Sequence, residues 1–429
     1  MAAVPDARKY ETPLSKSFSP SFANSVDILN SSEIAEITAM PEEGVAAALK
    51  HCKLRVVVPY FRLLAAVGLR PLTLTNSCPC WLVTSLSFLH LGLVLILLVL
   101  GYGLQFLSCF RRDLGPLGQI NGNDVQQWEE KCPLTQLVSN FVVPSILHLI
   151  TYLYVLYLFR IKDIEQLPNL MERVFVVSCP PGGVVQPKKV TRSLWLLLAM
   201  ASVWLVMSVV TFSLALILNP PNFRWIYMDP IFIRALLATG TMVQDAVQST
   251  LVSGYCLQAH LLTLLAAALK QRVLKHTLSL LDWMREVREL LELLRHLNDR
   301  LAPAVCVLAL ISASWALSGL ITIVRKPEST RVYLAVLLII LWATLAIAPF
   351  IMATRLSRHC DALREVGHEI RARPFEYMDA SSEDLNSLLL FASTLRLKPS
   401  LFGTPVSGRS MCILLSLVAL TALVAGQIA

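Results

Sequence analysis

The sequence predicts an all-α, polytopic membrane protein with seven transmembrane helices, the amino terminus inside the cell and the carboxyl terminus outside. Three observations predict it. Charged residues make up 15% of the chain and apolar types 55%, whereas an average soluble domain carries about 25% charge. Seven stretches are apolar over a length near the roughly 20 helical residues that a bilayer core demands. Basic residues, finally, alternate in density from one connection to the next.

Six of the stretches, 81–107, 137–159, 194–218, 231–257, 301–324 and 332–354, are long enough to span outright; the seventh, 411–429, is shorter but uncharged. The fourth remains apolar as far as Leu269. No proline or turn cluster divides it, and Gly254 alone is a weak break, so it reads as one helix continuing into the cytosol.

Lys and Arg collect in cytosolic connections. Of the 37 in the chain, 28 lie in segments on the amino-terminal side of the bilayer and 7 in the alternate segments, with Arg234 inside a span and Arg409 at a boundary. The amino terminus is therefore expected inside. Seven spans then put the carboxyl terminus outside, the reverse of a G-protein-coupled receptor. The first 80 residues hold no short apolar core behind a basic start, so no cleavable signal peptide is expected. A net charge of +8 would suggest a polyanion partner in a soluble protein; here the basic residues follow topology, and no nucleic-acid partner is expected.

The chain divides on this reading into a cytosolic amino-terminal region (1–80) and the first four spans with their cytosolic extension (81–269). A cytosolic amphipathic helix (270–300), spans five and six (301–354), a cytosolic helical region (355–405) and a terminal span (406–429) follow. Leu274, Leu278, Leu281, Met284, Val287, Leu291, Leu294 and Leu297 recur at spacings of three and four, which predicts one apolar stripe seeking a partner helix in this subunit or a neighbour. Ser381 with Asp384 has the form of a capping box opening a second amphipathic helix, and Pro399, Gly403 and Pro405 end it.

Ten cysteines without a CxxC pair or a Cys/His cluster give no metal signature. No Gly-rich phosphate loop, HExxH or nucleophile elbow occurs, so neither cofactor nor enzymatic activity is expected. Cys109 and Cys132 share an outer connection where a disulfide can form. Asn30-Ser31-Ser32 is a glycosylation sequon on the predicted cytosolic side. Asp245, in TMVQDAVQS, is a carboxylate in mid-span, which marks a pathway, a ligand site or a partner; Gln244, Gln248 and Ser249 extend its polar face. The simpler reading is that Asp245 is protonated or paired with a polar group on a neighbouring helix, stabilising the bundle without touching ligand. His148, with Asn140 and Ser145, faces the outer half of the second span, ahead of Tyr152, Tyr154 and Tyr157, which suit interfacial anchoring.

The segment VVVPYFRLLAAVGLRP at 56–71 resembles the one that precedes the first span of insect-type gustatory receptors. SLFGTPVSGRSMCILLSLVAL resembles the same family's approach to its last helix. The closing signature of that family, TYhhhhhQF with h apolar, is met by LTALVAGQI at Gln427, while Leu420, Thr421 and Ile428 stand where Thr, Tyr and Phe would. The chain is thus similar either to a divergent gustatory receptor or to a receptor-like relative from another animal lineage.

That resemblance implies a ligand-gated cation channel in the cell membrane, a homo- or hetero-tetramer of related receptor subunits embedded in the lipid bilayer and opened by a small-molecule tastant. It implies a ligand cavity in the outer half of the bundle, near Asp245, Gln244 and Gln248, with Trp315, Ser312 and Ser318 close in depth and His148 as a further contact. It also implies that the last helix lines the pore. There Gln427, Leu423, Leu420 and Ser416 share a stripe, and leucine rings suit gating by dewetting. A transporter or receptor-like protein without channel activity, with Asp245 on a proton or substrate path, is the competing expectation, although no internal repeat of the kind many transporters carry is found.

Overall fold

In the lipid-facing helices, one side presents bulky apolar residues and the other packs. Helix α3 (Cys80–Ser108) exposes Phe88, Leu89, Leu93 and Ile96 while burying Val94 and Leu98. Such an exposed apolar face suits contact with hydrocarbon or with another protein surface. The computed structural model describes residues 41–71, 80–108, 110–111, 115–116, 141–162, 166–178, 187–218, 229–325, 332–372, 382–394, 400–401 and 404–405. Among these residues, six helices are long and apolar enough to cross a membrane, and the protein is an all-α, multi-pass membrane protein.

Before the first span come α1 (Pro41–Cys52) and α2 (Val58–Ala66), joined by a widened π-type turn at Lys53–Val57. The region expected only as a polar cytosolic segment thus contributes Cys52, Val56, Tyr60 and Leu64 to the core. A two-residue antiparallel pair, β1 (Phe110–Arg111) with β2 (Gly115–Pro116), follows α3. The second span is α4 (Val143–Leu156), running into a π-type turn at Tyr157–Ile161. A short helix, α5 (Leu167–Ser178), then leads to the third span, α6 (Pro187–Leu218).

The fourth span, α7 (Pro230–Leu274), is one unbroken helix of 45 residues. Asp229 caps its start, accepting a bond from the Ile231 amide at 3.0 Å, as an N-cap carboxylate does. It packs against α3, α5, α6 and α10, and every residue from Val247 to Ala259 is buried. A helix enclosed on all sides has no need of an apolar stripe, which is why its polar residues break no pattern.

A turn at Lys275–Ser279 separates α7 from α8 (Leu280–His296), with His276 at a φ of 55°, a left-handed conformation that is uncommon outside glycine. Helix α8 continues through a π-type turn at Leu297–Leu301 into the fifth span, α9 (Ala302–Arg325). The sixth span, α10 (Val332–Arg371), carries Pro349 inside it and at 40 residues is longer than a bilayer core requires. Helix α11 (Ser382–Thr394) and a second short pair, β3 (Ser400–Leu401) with β4 (Thr404–Pro405), complete the described chain. The capping-box residue Ser381 lies outside the described residues, immediately before α11.

The stripe of α8 departs from expectation. Its buried face is Trp283, Val287, Leu290 and Leu294, continued by Leu297 and Leu301, whereas Leu281 is 66% exposed and Leu274 belongs to α7. The turn at Lys275–Ser279 resets the helical phase, so a register counted through it cannot hold. The partner is within the same chain: Trp283 meets Phe391 of α11 edge-on at 6.1 Å. Ion pairs of Arg173 with Glu286 at 3.1 Å and with Glu289, and of Lys53 with Glu172 at 3.2 Å, tie the neighbouring helices. Half-exposed pairs of this sort contribute at most about 1 kcal/mol each, so the apolar face sets the packing. All these extramembrane helices gather at one end of the bundle, the helix-rich end.

Candidate functional site

Toward the opposite end, four spans contribute polar side chains to one buried seam. Its geometry begins with two glycines. A Cβ placed on Gly240 of α7 would stand 2.7 Å from the Gly101 Cα of α3, so only glycine permits this backbone-to-backbone crossing, a small-residue contact typical of membrane helices. One turn beyond the contact on each helix, Gln105 donates from Nε2 to Oε1 of Gln244 at 3.0 Å. On the same face of α3, the Tyr102 hydroxyl is hydrogen-bonded to Nδ1 of His148 in α4, their rings edge-on with centroids 5.9 Å apart.

Asp245 points from α7 toward α6, where the Ser208 hydroxyl donates to its Oδ2 at 2.7 Å. The side chain is 2% exposed, and the bond from Ser208 answers part of the cost of burying a polar group there. Ser249, one turn on, donates to the Ala201 carbonyl at 3.1 Å and fixes the same pair of helices. Beside Asp245 a small cavity of about 120 Å³ opens between α6 and α7, lined among others by Val209, Phe212, Thr241 and Met242.

The seam has spare hydrogen-bonding capacity. Nε2 of His148, Nε2 of Gln244 and both amide atoms of the fully buried Gln248 find no partner among the described residues. Buried polar groups are ordinarily satisfied, so water or a small polar ligand fits this place chemically. No group of three or more metal-ligating side chains occurs among the described residues.

The residues singled out in the sequence divide between two places. Asp245, Gln244, Gln248 and His148 lie in the seam. Trp315 stacks edge-on against Trp342 at 4.4 Å, and Trp342 meets Trp204 at 5.8 Å, forming a separate aromatic cluster. Ser312 turns back to the Leu308 carbonyl of its own helix at 2.9 Å, and Ser318 is half-buried. Gln427, Leu423, Leu420 and Ser416, and likewise Asn140, Cys109 and Cys132, lie outside the described residues. Sequence reading missed Tyr102, Gln105 and Ser208. The first two stand three apart in GYGLQFL, a polar face on an otherwise apolar span; Ser208 carried no signal, because serine is common in membrane helices.

A multi-pass helical bundle with a buried polar seam near one end is thus the class that the fold defines. No protein-family profile matches the sequence, and no curated protein matches it by sequence. The fold is similar to that of the insect olfactory receptor OR5 from Machilis hrabei, with a TM-score of 0.59 at 13% identity over 87% of this chain and 98% of that one. It is similar also to the same receptor in complex with eugenol, with a TM-score of 0.57 at 12% identity over 90% and 99%. At such identity the likeness is one of fold.

Proposed function

We propose that this chain is a subunit of a ligand-gated cation channel of the chemoreceptor kind, opened by an extracellular small molecule of the tastant class. The observation that carries the reading is the likeness of fold over nearly the whole of both chains, one of them a receptor holding a small organic molecule. The unpartnered amide atoms of Gln244 and Gln248 among the described residues add to it.

On this reading the helix-rich end is cytosolic, the amino terminus lies inside and 411–429 forms a seventh span in the cell membrane. Four subunits, identical or related, surround a pore lined by Gln427, Leu423, Leu420 and Ser416. A ligand bearing hydrogen-bonding groups would satisfy the spare amide and imidazole positions, with His148 and the residues about Trp315, Ser312 and Ser318 as its wider surroundings. It opens the channel only to the extent that it binds the open form better than the closed.

The test is to express the chain in oocytes, apply a panel of small polar and aromatic compounds, and record currents under cation substitution. The expected result is a compound-dependent cation current absent from control cells. Saturable, proton-coupled solute uptake by surface-expressed protein without unitary currents would overturn the channel and favour a transporter in which Asp245 carries the coupling proton.

A further inference from the structure

Far from the seam, at the helix-rich end, three spans bring basic side chains to one level. Ser193 of α6 and His260 of α7 are hydrogen-bonded at 2.9 Å. Arg355 of α10 lies near enough to act electrostatically on both His260 and His359, and Lys270 of α7 acts on His359 as well. Arg192 precedes Ser193 directly. Arg192, Arg355, Arg358 and His359 are all exposed. Lys270 is paired with Glu369 at 3.0 Å; among the described residues, Arg192 and Arg355 have no carboxylate partner.

The membrane side of this cluster is apolar and open. Trp195, three residues into the span from Arg192, is 50% exposed, and Ile351, four residues into the span from Arg355, is 45% exposed. Spacings of three and four share a helix face, so each arginine stands above a lipid-facing side chain. Helices α6 and α10 are in contact, so the two arginine-capped faces stand on neighbouring helices. The loop-charge rule explains basic residues at each cytosolic helix end, but not their meeting around His260, which Ser193 bonds and Arg355 reaches. Cations on neighbouring helix ends repel one another, and an anion between them removes that cost.

We infer that the neighbouring ends of α6 and α10 bind the phosphate-bearing headgroup of an anionic phospholipid, seated between Arg192 and Arg355 with Arg358 at its edge, the acyl chains lying along Trp195 and Ile351. The lipid bridges α6 and α10 across α7. The site does not depend on channel activity; on the proposed orientation its lipid belongs to the cytosolic leaflet.

The experiment places the full chain in nanodiscs of phosphatidylcholine alone or with a phosphatidylinositol phosphate, and follows the thermal midpoint and the binding of fluorescent phosphoinositide. The anionic lipid should raise the midpoint of the unaltered protein and of the Arg192→Lys/Arg355→Lys pair. The Arg192→Gln/Arg355→Gln pair should lose that gain and bind the lipid roughly 25-fold more weakly, about fivefold for each arginine. An equal gain in the Gln pair overturns the site. Should the Gln pair fail to fold, a photoactivatable phosphoinositide on the unaltered protein decides: labelling concentrated in 187–200 and 345–360 supports the site, and labelling spread evenly over other basic helix ends, such as that at Arg160, overturns it.

Discussion

Asp245 is 2% exposed in the middle of a span, accepts from Ser208 at 2.7 Å and lines the cavity between α6 and α7. Asp245→Asn keeps the shape and an acceptor for Ser208 but removes the charge. Hydrogen bonds to charged groups exceed neutral ones by about 1 kcal/mol, so the half-maximal ligand concentration should move by roughly fivefold while surface expression stays near normal. Dose-response curves beside surface biotinylation check this, and an unmoved curve at normal expression removes the residue from the ligand site. Asp245, Gln244 and Gln248 were legible in the sequence because carboxylates and amides stand out in an apolar run. Ser208, Tyr102 and Gln105 were not, since what recruits them is the glycine crossing at Gly101 and Gly240, a tertiary contact with no local trace.

Helix α8 shows how a periodic pattern can admit two answers. The series through Leu281, Met284 and Leu291 and the series through Trp283 and Leu290 share Val287, Leu294 and Leu297, and both advance by threes and fours. Packing selects the second because it carries the larger side chain: Trp283 is fully buried, against Phe391. Trp283→Ala should therefore cost about 3–5 kcal/mol and free α11, whereas Leu281→Ala, at a 66% exposed position, should cost little. Thermal unfolding in detergent together with limited proteolysis of 373–394 compares the two. Equal effects would return the buried face to the leucine series. The short helices α1, α2 and α5 escaped sequence reading for a related reason, since helices of this length draw most of their stability from docking rather than from propensity.

Across the whole molecule, the spans were the most legible part, because hydrocarbon asks only for length and apolarity. The six described spans begin and end near the sequence estimates, but α6, α7 and α10 run further toward the helix-rich end than membrane thickness requires. The extension of α7 to Leu269 was legible from its apolar run and that of α10 from its charged helical pattern, whereas the start of α6, with Lys188, Lys189 and Arg192, is silent in a hydropathy reading. Orientation has its own test: with a tag at each end of the chain in intact cells, the carboxyl tag should be accessible and the amino tag hidden. The reverse pattern would place the helix-rich end outside and overturn the proposed topology.

The enclosure of α7 bears on how this architecture tolerates change. A lipid-facing position on α3 or α6 is content with any bulky apolar side chain, so substitutions there are nearly interchangeable. Positions on α7 from Val247 to Ala259 are all buried, and each must match the volume of its neighbours to within a methylene or so. In a saturation-mutagenesis survey, most of the intolerance should thus fall on a single helix. A scaffold built around one demanding axle and a permissive rim can lose nearly all likeness of sequence while its shape endures.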